Sequence, residues 1–376
     1  MRRLILVILI YSIVPAIAAQ SSIRMEINTL PVYHPANSDI YLAGSFNGWN
    51  PADEKYKLKK SEQGQYYIDL SLTEGSYEYK LTRGSWDKAE CKKDGTRREN
   101  RNLKVPADTV VSLAVEEWSD RFPAGPRPGT ASKQVRIIDT AFLIPQLKRT
   151  RRVWIYLPKG YEKNPSKKYP VLYMHDGQNV FDDATAYSGE WGVDEFLDST
   201  KQKACIVVAV DHGGNKRLNE YNPYDNDRFG KGEGDEYVDF LVKTLKPYID
   251  KRYHTLKDQH NTFIAGSSMG GLISFYAVLK YPKVFGGAGL FSASYWITGT
   301  KIFDAIKKKG KAVNTKLYFY AGKLEGDSMV PDMLKAFDSM SALSKSKMTA
   351  VIRDEGKHSE GTWRKEFPLF YKWLFK

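Results

Sequence analysis

The chain of 376 residues reads as two folded parts of different class: a small all-β sandwich, then an α/β part built on a doubly wound, mostly parallel sheet. Three observations predict this. Short alternating strand patterns crowd residues 22–113, a Pro/Gly-rich stretch at 122–130 interrupts them, and beyond 133 apolar strand runs alternate with longer helical segments. The expected boundaries are a leader over 1–19, the sandwich over 20–120, a linker over 121–132 and the α/β part over 133–376. A chain of this length suits two domains, each large enough for its own core.

Taken in order, Arg2 and Arg3 precede an apolar run over 4–14 and then Ala16, Ile17, Ala18 and Ala19, the layout of a secretory leader cleaved near Ala18 or Ala19. The apolar run is too short for a permanent anchor and no later stretch is long enough to span a bilayer. The mature chain is therefore expected to be periplasmic or secreted, with no integral membrane segment. In the front part, strands are expected at 40–44, 66–70, 76–81 and 102–105, and their spacing predicts an antiparallel sandwich. The 122–130 stretch should act as a semi-rigid spacer. Behind it, strands expected at 153–157, 171–174, 206–210, 262–265, 287–291, 317–320 and 350–352 alternate with helices, as parallel strands require.

The most telling run is 261–272, Asn-Thr-Phe-Ile-Ala-Gly-Ser-Ser-Met-Gly-Gly-Leu. Strand-type residues lead into Gly-x-Ser-x-Gly and a helical pattern follows, which places Ser268 on the strained strand-to-helix turn where α/β-hydrolases expose a nucleophile. Such a turn demands positive φ and close approach of strand and helix, which Gly266 and Gly270 tolerate. That fold orders its triad serine, acid, histidine. Of the six histidines, His34, His175, His212, His254 and His260 precede the serine, leaving His358 in a glycine-flanked polar loop. The acid should follow the strand between them, where Glu325 and Asp327 both qualify and Asp354 stands in reserve. A tetrahedral intermediate gathers charge on one oxygen, so backbone N–H groups should face it: that of Met269, and that of Gly177 or Gln178 in the loop after strand 169–174. His175 and Asp176 lie on the wrong side of the chain order for a triad, and packing or loop bracing is their expected role.

His-Asp-Gly-Gln-Asn-x-Phe at 175–181, Gly-Ser-Ser-Met-Gly-Gly at 266–271, Gly-x-x-Glu at 322–325 and Gly-x-His-x-x-x-x-Trp at 356–363 together resemble the putative-esterase family of α/β-hydrolases. Its members include feruloyl and acetylxylan esterases, enterobactin-type siderophore esterases and mycolyltransferases. The resemblance runs over residues 133–376 and implies serine ester chemistry. It favours Glu325 over Asp327, and it implies that Trp191, Arg217, Glu220, Tyr221 and Trp296 border the substrate cleft.

In the front part, the run 41–50, together with Glu78-Tyr79-Lys80, Gly84-Ser85-Trp86 and Asn100-Arg101-Asn102, resembles the glycogen- and starch-binding immunoglobulin-like domains found beside α-glucan enzymes. In those domains two tryptophans stack on sugar rings while a lysine and an asparagine bond hydroxyls, and the matching positions are Trp49, Trp86, Lys80 and Asn100. Related sandwich domains also serve hydrolases as docking modules. The front part is thus either a glucan platform or a unit that docks and lines the substrate cleft.

The formal net charge of +13 falls by two when Arg2 and Arg3 leave with the leader. The lysine runs at 57–60, 167–168 and 307–309 read as solvated faces without a nucleic-acid motif, so no nucleic-acid partner is expected, while a basic surface favours anionic substrates or envelope surfaces. Cys91 and Cys205 fall in different parts and are expected to be free buried thiols. The histidines are scattered without ligand spacing, so no metal and no other cofactor is expected. The chain reads as an exported serine carboxylesterase that forms an acyl-enzyme at Ser268 on an ester carried by a carbohydrate or similar natural product, polysaccharides included. A siderophore trilactone esterase and a non-catalytic glycan-binding protein are the alternative readings.

Overall fold

The computed structural model describes residues 20–105, 109–122, 128–187, 189–227 and 229–376, so the leader expected over 1–19 and most of the spacer lie outside the described residues. The chain divides into two compact units, Met1–Pro123 and Ala124–Lys376.

In the first unit, Gln20–Thr29 pairs antiparallel with Tyr66–Thr73 and parallel with Thr109–Ala114. Tyr41–Gly44, Gly75–Thr82 and Arg101–Val105 form a second, antiparallel sheet. Along Tyr66–Thr73 the residues Tyr66, Ile68, Leu70 and Leu72 are buried while Asp69, Ser71 and Thr73 are exposed, the period-two pattern of a sheet with one face on a core. Those apolar residues join Ile23, Met25, Leu42, Leu81 and Trp118 in one cluster. The parallel pair departs from the antiparallel sandwich expected from strand spacing. Antiparallel pairing follows from hairpins, and strands from the two ends of a unit are joined by none.

In the second unit, β1 (Val135–Ile144), β2 (Arg149–Tyr156), β3 (Val171–His175), β4 (Ile206–Val210), β5 (Thr262–Ser267), β6 (Gly287–Phe291), β7 (Lys316–Gly322) and β8 (Lys347–Arg353) form one sheet. Their order is β1-β2-β4-β3-β5-β6-β7-β8. β1 and β2 pair antiparallel, β2 pairs antiparallel with β4, and every pair from β4 to β8 is parallel. Strands β3 to β6 are buried at every position, which is why they read as apolar runs: helices cover both faces. One apolar layer holds Ile155, Tyr173, Val208, Leu272 and Phe275, the other Trp154, Leu172, Val207, Trp191 and Phe370.

Helices that pack on this sheet include α1 (Val193–Ser199), α2 (Met269–Lys280) and α3 (Glu360–Leu374). Since the parallel strands run one way, the loops after β3, β5, β6, β7 and β8 emerge at one edge of the sheet, the edge where such folds bind ligands. Cys91 and Cys205 are both buried and free. Among the described residues no helix is long and apolar enough to cross a membrane.

Candidate active site

Ser268 stands between β5 and α2 at φ 57° and ψ −122°. For a residue with a β-carbon this conformation stores about 1–3 kcal/mol of strain. The serine itself carries the positive φ, whereas neither Gly266 nor Gly270 is among the positive-φ residues, contrary to expectation. The glycines supply space instead. A Cβ on Gly266 would stand 2.8 Å from the Gly270 carbonyl carbon and 2.9 Å from His175 Cδ2, and one on Gly270 would stand 3.2 Å from His175 Cβ. The elbow is thereby pressed between the end of β3 and the first turn of α2. From β6, the Phe291 carbonyl accepts from Ser268 N at 2.9 Å, and Ser294 N donates to the Ser268 carbonyl at 3.1 Å. Ser268 Oγ lies 3.2 Å from Ser294 Oγ.

His358, after β8, sets its Nδ1 2.8 Å from Glu325 Oε2. The other carboxylate oxygen, Oε1, accepts from Gly322 N at 2.7 Å and from Ser292 Oγ at 2.8 Å. Trp363 Nε1 in turn donates to Ser292 Oγ at 2.9 Å, and the Trp363 ring meets the imidazole edge-on with centroids 5.0 Å apart. With Oε1 occupied by two donors, Oε2 remains for the imidazole. That contact favours the proton on Nδ1 and leaves Nε2 as an acceptor. Of the two acids left open by the sequence, Glu325 makes this contact and is 8 % exposed. Asp327 is exposed, and Asp354 pairs with Lys323 at 2.7 Å.

Met269 opens α2, where the first N–H groups have no intrahelical partner. After β3, Asp176 adopts a left-handed conformation (φ 54°, ψ 49°), and Gly177 and Gln178 start a short helical turn. A Cβ on Gly177 would stand 2.9 Å from the Val210 carbonyl carbon, so only glycine lets this loop sit on the end of β4. Gln178 Oε1 accepts from His212 N at 3.2 Å and ties the two loops together.

His175 and Asp176 brace this arrangement. His175 is 4 % exposed, its Nδ1 lies 3.0 Å from Tyr237 Oη, and burial pushes it down to about 4, so the ring is neutral at neutral pH. Arg217 clasps Asp176 through two contacts of 2.7 and 2.8 Å. Burial opposes the Asp176 charge, but Arg217 outweighs it and holds the carboxyl below its usual range.

Several residues that the resemblance sets along the cleft are enclosed by protein or held in braces. Trp191 is 4 % exposed and packs on Phe291, Trp363 and Phe367, a core residue between the start of α1 and α3. Glu220 and Tyr221 are fully buried: Glu220 pairs with Arg149 at 2.8 Å and with Arg151, and Tyr221 Oη accepts from Asp176 N at 3.3 Å. Arg217 acts as a brace of Asp176. Trp296, in the turn after β6, is 43 % exposed and meets Phe229 edge-on. Ser292, at φ 47°, is the member of the Glu325 network that the sequence did not single out, while Trp363 is the tryptophan of the motif at 356–363. A left-handed serine after a strand leaves no pattern in a sequence.

In the first unit, Trp49 and Trp86 are partly exposed, with ring centroids 6.3 Å apart at 39°. Trp49 sits at φ 61° in a turn that Asn47 ties down, accepting from Gly44 N and donating to the Leu42 carbonyl, both at 2.8 Å. Asn100 Nδ2 donates to Glu78 Oε2 at 3.2 Å. Lys80 departs from the resemblance: it is 2 % exposed, donates to the Arg98 carbonyl, and burial pulls its ammonium down to about 8. An ammonium so placed is spent inside the unit and does not face a sugar.

Residues 38–120 match the Pullulanase X25 domain. The protein named "Uncharacterized protein YbbA" from Bacillus subtilis is 28% identical over 244 residues, which cover 60% of this chain and 92% of that one. An endo-1,4-beta-xylanase/feruloyl esterase from Xylanibacter ruminicola is 30% identical over 228 residues, 59% of this chain but 29% of that protein. Among solved structures, the enterochelin esterase from Shigella flexneri aligns with a TM-score of 0.53 at 16% identity, covering 94% of this chain and 92% of that one, a likeness of fold. Residues 144–373, more than half of the chain, match the family described as Putative esterase, and the chain belongs to that family.

Proposed function

We propose that the chain is an exported serine carboxylesterase acting on an acyl ester carried by a carbohydrate or similar natural product. The observation that carries this reading is the Glu325–His358 contact of 2.8 Å, presented at the same sheet edge as a serine held at φ 57°. Ser268 Oγ attacks the ester carbonyl carbon while His358 Nε2 takes the hydroxyl proton, and the carbonyl π pair moves onto oxygen. The N–H of Met269 and that of Gly177 or Gln178 donate to that oxyanion. The carbon–oxygen bond to the leaving alcohol then breaks, the alcohol departs with the proton from Nε2, and the acyl group remains on Ser268. Water repeats the sequence and releases the acid. Glu325 holds the imidazole in place and stabilises the imidazolium.

Two facts support a carbohydrate-borne ester. The Xylanibacter relative is named as a xylanase and feruloyl esterase, and the first unit matches a pullulanase domain and carries Trp49 beside Trp86. The trilactone reading stands behind it, because the likeness to the enterochelin esterase is one of fold. Export rests on the leader pattern of residues 1–19.

The test is turnover by the purified chain of p-nitrophenyl acyl esters, methyl ferulate, acetylated xylan and a cyclic trilactone, with fluorophosphonate labelling read by mass spectrometry. Hydrolysis of the feruloyl or acetyl esters with label on Ser268 is expected. Failure on every ester with Ser268 unlabelled overturns the mechanism, and preference for the trilactone overturns the substrate class.

A further inference from the structure

Three carboxylates converge at a buried place that the ester chemistry does not use. Glu190 lies just ahead of α1, Asp194 and Glu195 belong to its first turn, and one oxygen of each lies within 4.8 Å of the others. Glu190 is 2 % exposed and Asp194 is fully buried. Each residue has given one oxygen to the protein. Glu190 Oε1 accepts from Arg364 Nη1 at 3.3 Å, Asp194 Oδ2 accepts from Ser132 N at 2.7 Å, and Glu195 Oε1 lies 3.7 Å from Arg364 Nη2. The remaining oxygens, Glu190 Oε2, Asp194 Oδ1 and Glu195 Oε2, are buried without a hydrogen-bond partner. A buried acceptor without a donor is costly, and the three carboxylates repel one another as well, with a single guanidinium beside Glu190 and Glu195 to offset them. Burial, and then Glu195 beside it, pushes Glu190 up to about 8.

We propose that Glu190, Asp194 and Glu195 form a divalent-cation site that takes Ca²⁺ in preference to Mg²⁺. An all-carboxylate donor set selects hard cations over zinc or copper. Ca²⁺ accepts six to eight oxygens in flexible geometry, whereas Mg²⁺ demands a near-ideal octahedron and keeps several of its waters, so a buried set made of protein carboxylates suits Ca²⁺. The ion is structural, because the cluster ties together three separate stretches of the second unit. Ser132 reaches it from the segment that enters the unit, where Thr130 N also donates to Asp182 Oδ1 at 3.0 Å. The α1 turn supplies two ligands, and Arg364 reaches it from α3, whose first residue lies two positions beyond His358. The spacing of Glu190, Asp194 and Glu195 matches no loop motif for calcium, so sequence patterns do not reveal it.

The competing account is that the carboxyls share a proton and hold no metal. The full-length chain, stripped with chelator and exchanged into metal-free buffer at neutral pH, is titrated with CaCl₂ and with MgCl₂ while Tm is read. Terbium luminescence sensitised through Trp191, the neighbour of Glu190, reports occupancy directly. Ca²⁺ at a hundredfold excess over its Kd is expected to raise Tm by roughly 5–10 °C, Mg²⁺ by less, and Asp194→Asn to abolish both the shift and the luminescence. No Tm response to Ca²⁺ together with no sensitised emission overturns the proposal, as does an undiminished Ca²⁺ shift in Asp194→Asn. Glu195→Gln, at the most exposed of the three, serves if Asp194→Asn does not fold: loss of the shift supports the site and its retention overturns it.

Discussion

Replacing Glu325 by glutamine tests the assignment of the acid at the level of a single proton. Glu325 Oε1 receives hydrogen bonds from Gly322 N at 2.7 Å and Ser292 Oγ at 2.8 Å, and Ser292 Oγ itself accepts from Trp363 Nε1, which turns its hydroxyl proton toward Glu325. Two donors therefore face one side of the carboxylate, and the oxygen of a glutamine must take that side. Its NH₂ is left facing His358 Nδ1, now 2.8 Å from Oε2. The amide would donate to Nδ1 and force the imidazole proton onto Nε2, the nitrogen that has to accept the serine proton. A wrong tautomer in an otherwise intact triad costs on the order of 10⁴ in kcat, or about 5.5 kcal/mol in the barrier. The fold should lose only the charge-assisted part of one hydrogen bond, about 1–2 kcal/mol. Continuous release of p-nitrophenol gives kcat and KM separately, and KM should scarcely move. Asp327→Asn, at an exposed position, should cost far less in kcat than Glu325→Gln. A folded Glu325→Gln that keeps more than a tenth of the parent kcat refutes the reasoning, as does an Asp327→Asn that is the more damaging of the two.

Ser268→Ala and His358→Ala should each lower kcat by about 10³ or more without unfolding the chain, and Ser268→Ala should also lose the phosphonate adduct; residual labelling elsewhere with full turnover would contradict this. His175, with a folded value of about 4 against an ordinary 6.5, contributes stability that is complete above pH 6.5 and is lost as pH falls toward 4, about 3 kcal/mol in all. Tm measured across that window should drop in the parent, less so in His175→Gln, and an equal drop in both would count against it. Native electrophoresis through glycogen or amylopectin should retard the full chain, with the retardation lost in Trp49→Ala/Trp86→Ala and kept in Lys80→Met, because Lys80 is spent on the Arg98 carbonyl; loss in Lys80→Met would restore it to the sugar face.

How far the sequence could be read depends on the physical origin of each signal. Strands β4 and β6 have the limits expected from their apolar runs, because a strand covered on both faces must be apolar at every position. β1 escaped notice for the opposite reason: as the sheet's edge strand, only Phe142 and Ile144 of its ten residues are buried, so little periodicity remains. Close backbone approach that a glycine announces was legible, as at Gly266 and Gly270, where a Cβ would crowd His175. Burial of amphipathic side chains was not. Trp191 and Lys80 each carry enough apolar surface to enter a core or stay on a face, and only the tertiary neighbours decide.

Glu325 and Asp327 show where local sequence stops deciding and backbone takes over. They are two residues apart in one loop, equal in charge, and almost equally distant from His358 along the chain. Between them Gly326 adopts φ 94°, a conformation that an L side chain rarely takes. The chain changes direction at that glycine. Glu325 turns inward, where Gly322 N and Ser292 Oγ already face it, and Asp327 is left exposed. The inward position is therefore set by one left-handed residue together with two donors, Ser292 just past the end of β6 and Gly322 at the end of β7. Gly326→Ala should accordingly disturb the His358 contact without touching either carboxylate, lowering kcat while leaving the charge of the loop unchanged. If Gly326→Ala instead retains full kcat, the direction change at that residue is not what presents Glu325 to the imidazole, and the two donors alone must hold it.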